Sequence, residues 1–360
     1  MDRLREVRRQ MAARRTGALL VTNPMSLKYL FRISDLRWAL VTPRQVYVVP
    51  FRLGEDVARK QLRRTCILLA SSASWEIIPR LLARFPPYRL AFEESSMTVS
   101  LFRSISRVIE HQLLLVAGGP IVESSREVKF ADEITMIEKA SRITRDTLAQ
   151  LEIFVSPGMT ERSIAVFVDR TMRQLGADGP AFETIVLGGP RSAYPHGVSS
   201  ERRIKAGELL LIDVGARVAG YCSDMTRVYA LSRSTARQKA IYARVFRSYL
   251  AGVRALGRGR PAGKAYDASR KALGGLAHRF IHGLGHGVGL EIHESPRLAS
   301  MEVQKLRSGN VVTVEPGVYF PGWGGIRLED TYLIRGNRAI SVTGMPAPAL
   351  PVLGRDLKGE

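Results

Sequence analysis

The fold of this chain is decided by the stretch FIHGLGHGVGLEIHE, residues 280–294. Three of the six histidines of the 360-residue chain fall within it, and glycines alternate with them. Such glycines disfavour a helix and let the backbone approach a ligand closely. On an extended strand His282 and His286 would share a face, because they are an even number of residues apart. The pattern indicates a functional site, and a structural zinc site is disfavoured because cysteine ligands are missing.

The cysteine content and the hydrophobic runs bound the class of protein. Cys66 and Cys222 are too few for a disulfide framework, which favours a reducing compartment. The apolar run at 18–21, behind a basic start at 1–16, is too short for a signal peptide. No stretch approaches the ~20 apolar residues of a membrane span. We expect a soluble cytoplasmic protein with no membrane partner.

The net charge of +21 comes from 54 basic residues, of which 44 are arginines. Nucleic-acid binding is one interpretation. The arginines are scattered, however, and no RNP motif, zinc finger or helix-turn-helix signature accompanies them. We therefore favour arginines on solvated faces and expect no specific nucleic-acid partner.

The first part of the chain, residues 1–124, has the texture of a small α/β domain. Apolar runs predict strands and a hairpin, at 18–22, 66–70 and 38–50. Amphipathic segments predict helices, at 55–64, 75–85 and 100–110.

The second part, residues 125–360, alternates long helices with strand-like blocks. Apolar residues at helical spacing predict helices, at about 134–148, 160–175, 234–256 and 265–276. Apolar blocks predict strands, at 182–187, 208–217, 221–231, 288–293, 310–319 and 325–335. A Pro-rich segment from Met345 onward predicts a loose tail. The fold class is α/β (α+β) in two domains.

Two acidic residues lie in apolar strands where a carboxylate must be buried. A turn at 218–220 would pair the strands that carry Asp213 and Asp224 and place the two side by side. Buried carboxylates that repel each other need a partner, and a cation between them is the economical one. Neutralisation by Arg217 or Arg227 is the alternative.

Two further strands bury Glu315 and Glu329, the latter two residues from Arg327 and on the same strand face. Four carboxylates and one histidine form an oxygen-rich set. Such a set favours two hard divalent ions over a thiolate-binding metal.

The set Asp213, Asp224, His286, Glu315 and Glu329 resembles, in order and spacing, the ligands of the pita-bread metallopeptidases. That family includes methionine aminopeptidase, aminopeptidase P and prolidase. The resemblance covers about residues 125–345, and residues 1–125 resemble the creatinase-type N-terminal domain of the proline-specific members. It implies a creatinase-like N-terminal domain at 1–124 and a pita-bread catalytic domain at 125–360.

The proline-specific branch is the most similar one. The segment 194–197 resembles its P-H-G segment, which supplies a substrate-facing histidine, here His196. His282, His293 and Arg327 match further positions of that branch. Thr331 stands where many relatives carry a second aspartate, which leaves the shape of the substrate pocket open.

The resemblance also implies roles within the site. Asp213 would bind one ion and His286 with Glu315 the other, while Asp224 and Glu329 bridge them. Two such ions, with Mn²⁺ favoured over Co²⁺ or Zn²⁺, lower the pKa of a shared water toward about 7. Glu315 would move the proton, and His293 and His196 would hydrogen-bond the oxyanion and a substrate carbonyl. Substrate contacts are expected from His196, His282, His293, Arg297, Tyr319 and Arg327.

The implied activity is hydrolysis of Xaa-Pro bonds in proline-containing di- or oligopeptides by a homodimer. A dipeptidase is favoured, because Arg297 resembles a prolidase arginine suited to grip the free carboxylate of a dipeptide. An aminopeptidase P acting on longer peptides and a broader metalloaminopeptidase stay open, as does Arg297 pairing with Glu294 or Glu291. An inactive basic binding protein of the same fold is disfavoured, because a binding role needs no five-ligand set.

Overall fold

The computed structural model describes residues 3–62, 66–83, 89–109 and 113–354. The chain divides into two compact units, Met1–Arg126 and Glu127–Glu360. Each unit has its own strands and its own buried apolar residues, so the two are described separately.

The first unit is built on a six-stranded mixed sheet with the order β4-β3-β2-β1-β5-β6. Its strands are β1 Ala18–Val21, β2 Leu36–Val41, β3 Val46–Pro50, β4 Ile67–Leu68, β5 Arg89–Phe92 and β6 Leu114–Ala117. Its helices are α1 Arg3–Ala13, α2 Pro24–Phe31, α3 Glu55–Gln61, α4 Ile77–Leu82, α5 Val99–Ile109 and α6 Ile121–Arg126. The central strand β1 is buried along its whole length, as its unbroken apolar run requires.

The predicted hairpin of β2 and β3 is confirmed, as is each predicted strand and helix of this unit in its central part. Three helices were not predicted, namely α1, α2 and α6. In α1 the buried Leu4, Val7 and Met11 follow a helical period, but six arginines in 3–15 hide it. The predicted helix ends at 64, 85 and 110 lie outside the described residues.

The second unit carries four helices within the described residues, α7 Ala131–Phe154, α8 Glu161–Gln174, α9 Ala236–Ala255 and α10 Gly263–Leu273. Side-chain caps begin two of them: Thr160 accepts the amide of Ser163 for α8, and Thr235 accepts that of Gln238 for α9. Short 3₁₀ helices lie at Gly189–Ala193 and Gly274–Arg279.

The strands of the second unit form four small sheets in the described part of the chain. In chain order they are β7 Gly179–Pro180, β8 Ile185–Gly188, β9 Leu209–Val214, β10 Ala216–Val218, β11 Tyr221–Cys222, β12 Met225–Leu231, β13 Gly285–Gly287, β14 Glu294–Leu298, β15 Val311–Val314, β16 Gly317–Phe320, β17 Gly324–Arg327, β18 Asp330–Arg335, β19 Arg338–Ser341 and β20 Val352–Leu353. The two larger sheets have the orders β20-β12-β9-β8 and β14-β13-β15-β18-β19.

Pairing of β9 with β12 confirms the predicted antiparallel arrangement, with Asp213 opposite Thr226. The short β10–β11 hairpin makes the turn that was expected at 218–220. One apolar cluster joins α9 and α10 to residues of both larger sheets, including Leu211 of β9, Val312 of β15 and Tyr332 of β18. The strands that carry the acidic residues are therefore fixed from behind by helix packing.

Three predictions about this unit are wrong. Residues 288–293 are not a strand but a loop between β13 and β14, because closely spaced glycines turn the chain there. His282 consequently precedes β13, and only His286 lies on that strand. The segment beyond Met345 is anchored rather than loose, since Val352 and Leu353 pair in parallel with Ala230 and Leu231. The tail beyond residue 354 lies outside the described residues.

No helix among the described residues is both long enough and apolar enough to span a membrane.

A buried carboxylate, Glu93, follows β5 and accepts hydrogen bonds from the amides of Thr22 and Asn23, both at 3.0 Å. Burial raises the pKa of Glu93 from 4.5 to about 6, and the charge of Glu123 adds to the effect. Because the pKa of this carboxyl is higher in the folded than in the unfolded protein, the free energy of unfolding decreases as the pH rises from 4.5 to 6. The loss at neutral pH is about 2 kcal/mol.

We expect Glu93→Gln to be more stable than the wild type at pH 7.5 by about 1–2 kcal/mol, because the amide stays neutral and still accepts both amides. The difference should close toward pH 4.5. Denaturant unfolding followed by tryptophan fluorescence measures it, since Trp38 and Trp75 lie in contact within this unit. A pH-independent difference would contradict the explanation.

Candidate metal centre

Four carboxylates and one imidazole are supplied by the ends of different strands. Asp213 lies in β9, and Asp224 immediately precedes β12. His286 lies in β13, and Glu315 immediately follows β15. Glu329 lies between β17 and β18, so the prediction that it shares a strand with Arg327 is wrong by two residues.

Three of these side chains converge closely. One ligand atom each from Asp224, His286 and Glu329 lies within 4.8 Å of the others. The Nε2 atom of His286 is 3.5 Å from Oδ2 of Asp224 and 3.4 Å from Oε1 of Glu315. This spacing exceeds a hydrogen bond and leaves room for an ion between the donor atoms.

The electrostatics of the cluster are unfavourable without a counter-charge. Burial, followed by the charges of Asp213 and Glu315, raises the pKa of Asp224 well above its usual value. Burial and then Asp224 do the same to the pKa of Glu329. Burial raises the pKa of Glu315 to about 8 against the opposing effect of Arg327. Like charges in a low-dielectric site repel, so a bound cation would stabilise the ionised forms.

The protonation of His286 fits a ligand role. Its Nδ1 atom faces the carbonyl oxygen of Gly287 at 3.1 Å, and a carbonyl only accepts, so Nδ1 carries the proton. Burial lowers the pKa of His286 to about 4, which keeps the ring neutral at pH 7. The lone pair of Nε2 then faces two carboxylates, an arrangement that a divalent cation satisfies.

One carboxylate oxygen of Asp213 is also buried without a partner. Its Oδ2 accepts from Nη2 of Arg327 at 2.5 Å, while its buried Oδ1 has no hydrogen-bond partner. The predicted alternative of neutralisation by Arg217 or Arg227 is therefore wrong, since Arg227 pairs with Asp330 at 2.7 Å. The donor set as a whole fits hard divalent ions, which take carboxylate and imidazole ligands.

Arg327 connects the acidic cluster to the surrounding groups. It is almost fully buried and donates to Oγ1 of Thr226, the hydroxyl of Tyr319 and the carbonyl of Pro195. The hydroxyl of Tyr319 in turn lies 2.9 Å from Nε2 of His282. Burial lowers the pKa of His282 to about 4, so this ring is also neutral.

The remaining predicted site residues lie on the exposed side of the cluster. The ring of His293 meets that of His286 edge to face at 4.3 Å between centroids. Burial, and then the neighbouring charges of His196 and Arg297, lowers the pKa of His293. His196, His293 and Arg297 are all solvent-exposed. Sequence reasoning and structure thus place them in one neighbourhood.

One of the two alternative partners considered for Arg297, Glu294, is otherwise engaged. Glu294 forms an ion pair with Lys129 at 3.0 Å, with both side chains almost fully buried. Lys129 comes before α7, 165 residues away in the chain, and sequence reasoning had no signal for it. Within the described residues no ion pair involves Arg297.

Hydroxyl groups support several carboxylates, and sequence reasoning missed them. Thr226 donates to Oε2 of Glu329 at 2.6 Å, and Thr331 donates to the carbonyl of Asp224 at 2.9 Å. The sequence did offer a signal for both threonines, because each lies next to a predicted acidic residue in the chain or opposite one on a paired strand. Thr331, noted as a departure from relatives, thus holds the backbone of Asp224.

The glycines flanking His286 are required by close backbone approach. A Cβ atom at position 285 would lie 2.1 Å from the carbonyl oxygen of Thr313, and one at position 287 would lie 2.4 Å from that of Ser295. Because both contacts are with backbone, neither can relax cheaply. The G-H-G triplet therefore places the imidazole between two strands that only glycine allows so near.

This fold and this donor set define a hydrolase-type centre for divalent metal ions. Residues 135–336 match metallopeptidase family M24, and residues 3–128 match the creatinase/prolidase N-terminal domain. The chain belongs to metallopeptidase family M24, which confirms the predicted fold class and the predicted enzyme class.

Relatives agree with this assignment. An uncharacterized peptidase of Bacillus subtilis, YqhT, is 35% identical over 331 residues, 90% of this chain and 93% of that protein. The Xaa-Pro dipeptidase of Pyrococcus furiosus is 40% identical over 225 residues, 62% of this chain and 65% of that protein. The solved Xaa-Pro dipeptidase of Bacillus anthracis superposes with a TM-score of 0.91 at 29% identity, covering 98% of this chain and 99% of that one.

We expect Asp224→Asn to abolish turnover and to lower the bound divalent metal sharply, because Asp224 converges with His286 and Glu329 on one point and lies 3.5 Å from Nε2 of His286. Metal analysis of dialysed protein measures the loss independently of activity. Asp267→Asn, on the exposed face of α10, is the matched control and should keep its metal. Full metal content in Asp224→Asn would contradict a ligand role.

Proposed function

We propose that this chain is an Xaa-Pro dipeptidase that uses two divalent metal ions. The observation that carries the proposal is the neutral imidazole of His286 facing two buried carboxylates, Asp224 and Glu315, whose pKa values are raised by burial and by the charge of Asp213. Relatives named Xaa-Pro dipeptidase support the substrate class. The proposal includes Mn²⁺ as the native ion and Asp213, Asp224, His286, Glu315 and Glu329 as its ligands.

The proposal also covers domain organisation and setting. We assign residues 1–124 to a creatinase-like N-terminal domain and 125–360 to the catalytic domain. Two free thiols, Cys66 and the buried Cys222, support a reducing, cytoplasmic setting. A homodimer is proposed from the family resemblance alone.

Bound ions of this kind supply an activated water at neutral pH. In hydrolysis the oxygen of a water would add to the carbonyl carbon of the Xaa-Pro bond, and the bond to the prolyl nitrogen would break. Glu315 takes a proton from the water and returns one to the leaving nitrogen, which has no N–H of its own in the substrate.

Around the reacting carbonyl, histidine and tyrosine side chains orient the substrate. His293 and His196 donate hydrogen bonds to the developing oxyanion and to a substrate carbonyl. Tyr319 and His282, held together by a hydrogen bond at 2.9 Å, form a wall for the proline ring. Arg327 fixes this wall by donating to the Tyr319 hydroxyl at 3.1 Å.

We expect His293→Ala to lower kcat by roughly 10²–10³-fold, the scale for one oxyanion donor. Metal content should stay near the wild-type value, because His293 is not among the proposed ligands. Steady-state kinetics on an Xaa-Pro dipeptide with parallel metal analysis measures both. His278→Ala, exposed on the 3₁₀ helix Gly274–Arg279, is the control. Loss of metal from His293→Ala would make His293 a ligand instead.

Dipeptide preference rests on Arg297. Its guanidinium is exposed on β14, near His293 and His286, whose pKa values its charge helps to lower. The occupation of Glu294 by Lys129 supports a guanidinium that is available to a ligand. A free carboxylate one residue beyond the scissile bond would be held in bidentate fashion.

We expect Arg297→Ala to raise KM for Xaa-Pro dipeptides while sparing an Xaa-Pro-Xaa tripeptide, whose carboxylate lies elsewhere. Arg297→Lys keeps the positive charge but loses the bidentate guanidinium, so its KM for the dipeptide should fall between those of the wild type and Arg297→Ala. Initial-rate kinetics on both peptides measures this. If the wild type prefers the tripeptide, the enzyme is an aminopeptidase P and Arg297 does not bind the dipeptide carboxylate.

A further inference from the structure

The positive charge of this chain is concentrated rather than scattered. Residues 233–279 hold twelve Lys or Arg and one acidic residue, Asp267. The rest of the chain from 127 onward holds 21 basic and 22 acidic residues and is almost neutral. Residues 1–126 hold 21 basic and 10 acidic residues. Within the second unit, the excess therefore comes from the pair of helices α9 and α10 with their flanking loops.

These cations lie on the solvent side of the helix pair. We call the exposed residues Arg247, Arg254, Arg258, Arg260, Arg270 and Lys271 the basic surface. The hydroxyls of Ser248 and Ser269 hydrogen-bond at 2.7 Å across the pair. Their chain neighbours Arg247 and Arg270 therefore lie at the same level of the two helices.

The charge of this segment is not balanced internally. Between 233 and 279, all of which the structure describes, the one ion pair joins Lys264 to Asp267 at 4.0 Å. Arg237 and Arg279 stack over Phe320 and Trp323 and are not counted in the basic surface. Uncompensated like charges destabilise the folded protein, so the surface is suited to an external anion.

The side chains of the basic surface favour one kind of anionic partner over others. No large apolar side chain is exposed between 233 and 279, which disfavours helix insertion into a membrane. The same lack disfavours a protein interface, which needs buried apolar or aromatic anchors. Five of the six cations are arginines, whose planar fork matches phosphate oxygens. Arg247 to Arg254 on α9 span about 10 Å, and Arg258 and Arg260 continue the basic surface beyond the helix, so it can face more than one phosphate of one strand.

We propose that the basic surface binds the phosphodiester backbone of nucleic acid without reading its sequence. The contact is electrostatic and lies apart from the proposed catalytic residues, so it leaves dipeptide hydrolysis unchanged.

The test compares two variants with the same change in net charge. The first replaces Arg247, Arg254, Arg258 and Arg270 by Gln. The control replaces Lys139, Arg142, Arg170 and Arg217, which are exposed elsewhere on the second unit, by Gln. Binding of the full-length protein to a 20-base-pair duplex DNA is measured by fluorescence anisotropy between 50 and 200 mM salt, about the range over which phosphate contacts weaken. Vesicles containing one quarter phosphatidylglycerol serve as a second probe.

We expect the first variant to bind duplex DNA at least tenfold more weakly at about 50 mM salt, with a slope of log K against log salt shallower by about 3–4, since each lost phosphate contact contributes about 0.9. The control should stay within about twofold of the wild type. Both should keep the wild-type thermal unfolding midpoint and dipeptide turnover. Equal loss in both variants, no loss in the first, or tighter binding to the vesicles than to DNA would each overturn the proposal.

Discussion

The repulsion among buried carboxylates is the constraint on which the catalytic unit depends. Asp224, Glu315 and Glu329 are buried together; burial raises the pKa of each, and the negative charge of Asp213 adds to the rise in all three. The chain opposes this repulsion with one buried arginine, Arg327, which pairs with Asp213. One guanidinium does not neutralise four carboxylates. The structure is therefore complete in an electrostatic sense only with cations bound, and metal content is expected to couple to stability.

Arg327 also ties the acidic cluster to the substrate side. Its contacts reach Asp213, Thr226, Tyr319 and the carbonyl of Pro195, which precedes His196. A single side chain thus sets the distance between the proposed ligands and the proposed proline wall. Nothing in its sequence surroundings distinguishes this role from that of Arg227, which instead pairs with Asp330. The two arginines differ because their side chains contact different carboxylates, Asp213 for Arg327 and Asp330 for Arg227.

Much of this was predictable from the sequence, because acidic residues within apolar strands have few alternatives. The pairing of the strand of Asp213 with the strand that follows Asp224 could be derived from a short turn, although the register places Thr226 opposite Asp213. Local patterns failed where the partner is distant or the backbone is irregular. The Lys129–Glu294 pair spans 165 residues, and the glycines after His286 make a loop where the apolar residues predicted a strand. The roles of the individual ligands stay predictions.

The dispersal of the ligands among separate strands has a consequence for biosynthesis. Asp213 lies in β9 and Glu329 between β17 and β18, 116 positions further along the sequence. A nascent chain that stops before Glu329 lacks one of the five proposed donors, however well its earlier helices have formed. The proposed metal centre would therefore be completed only late in synthesis.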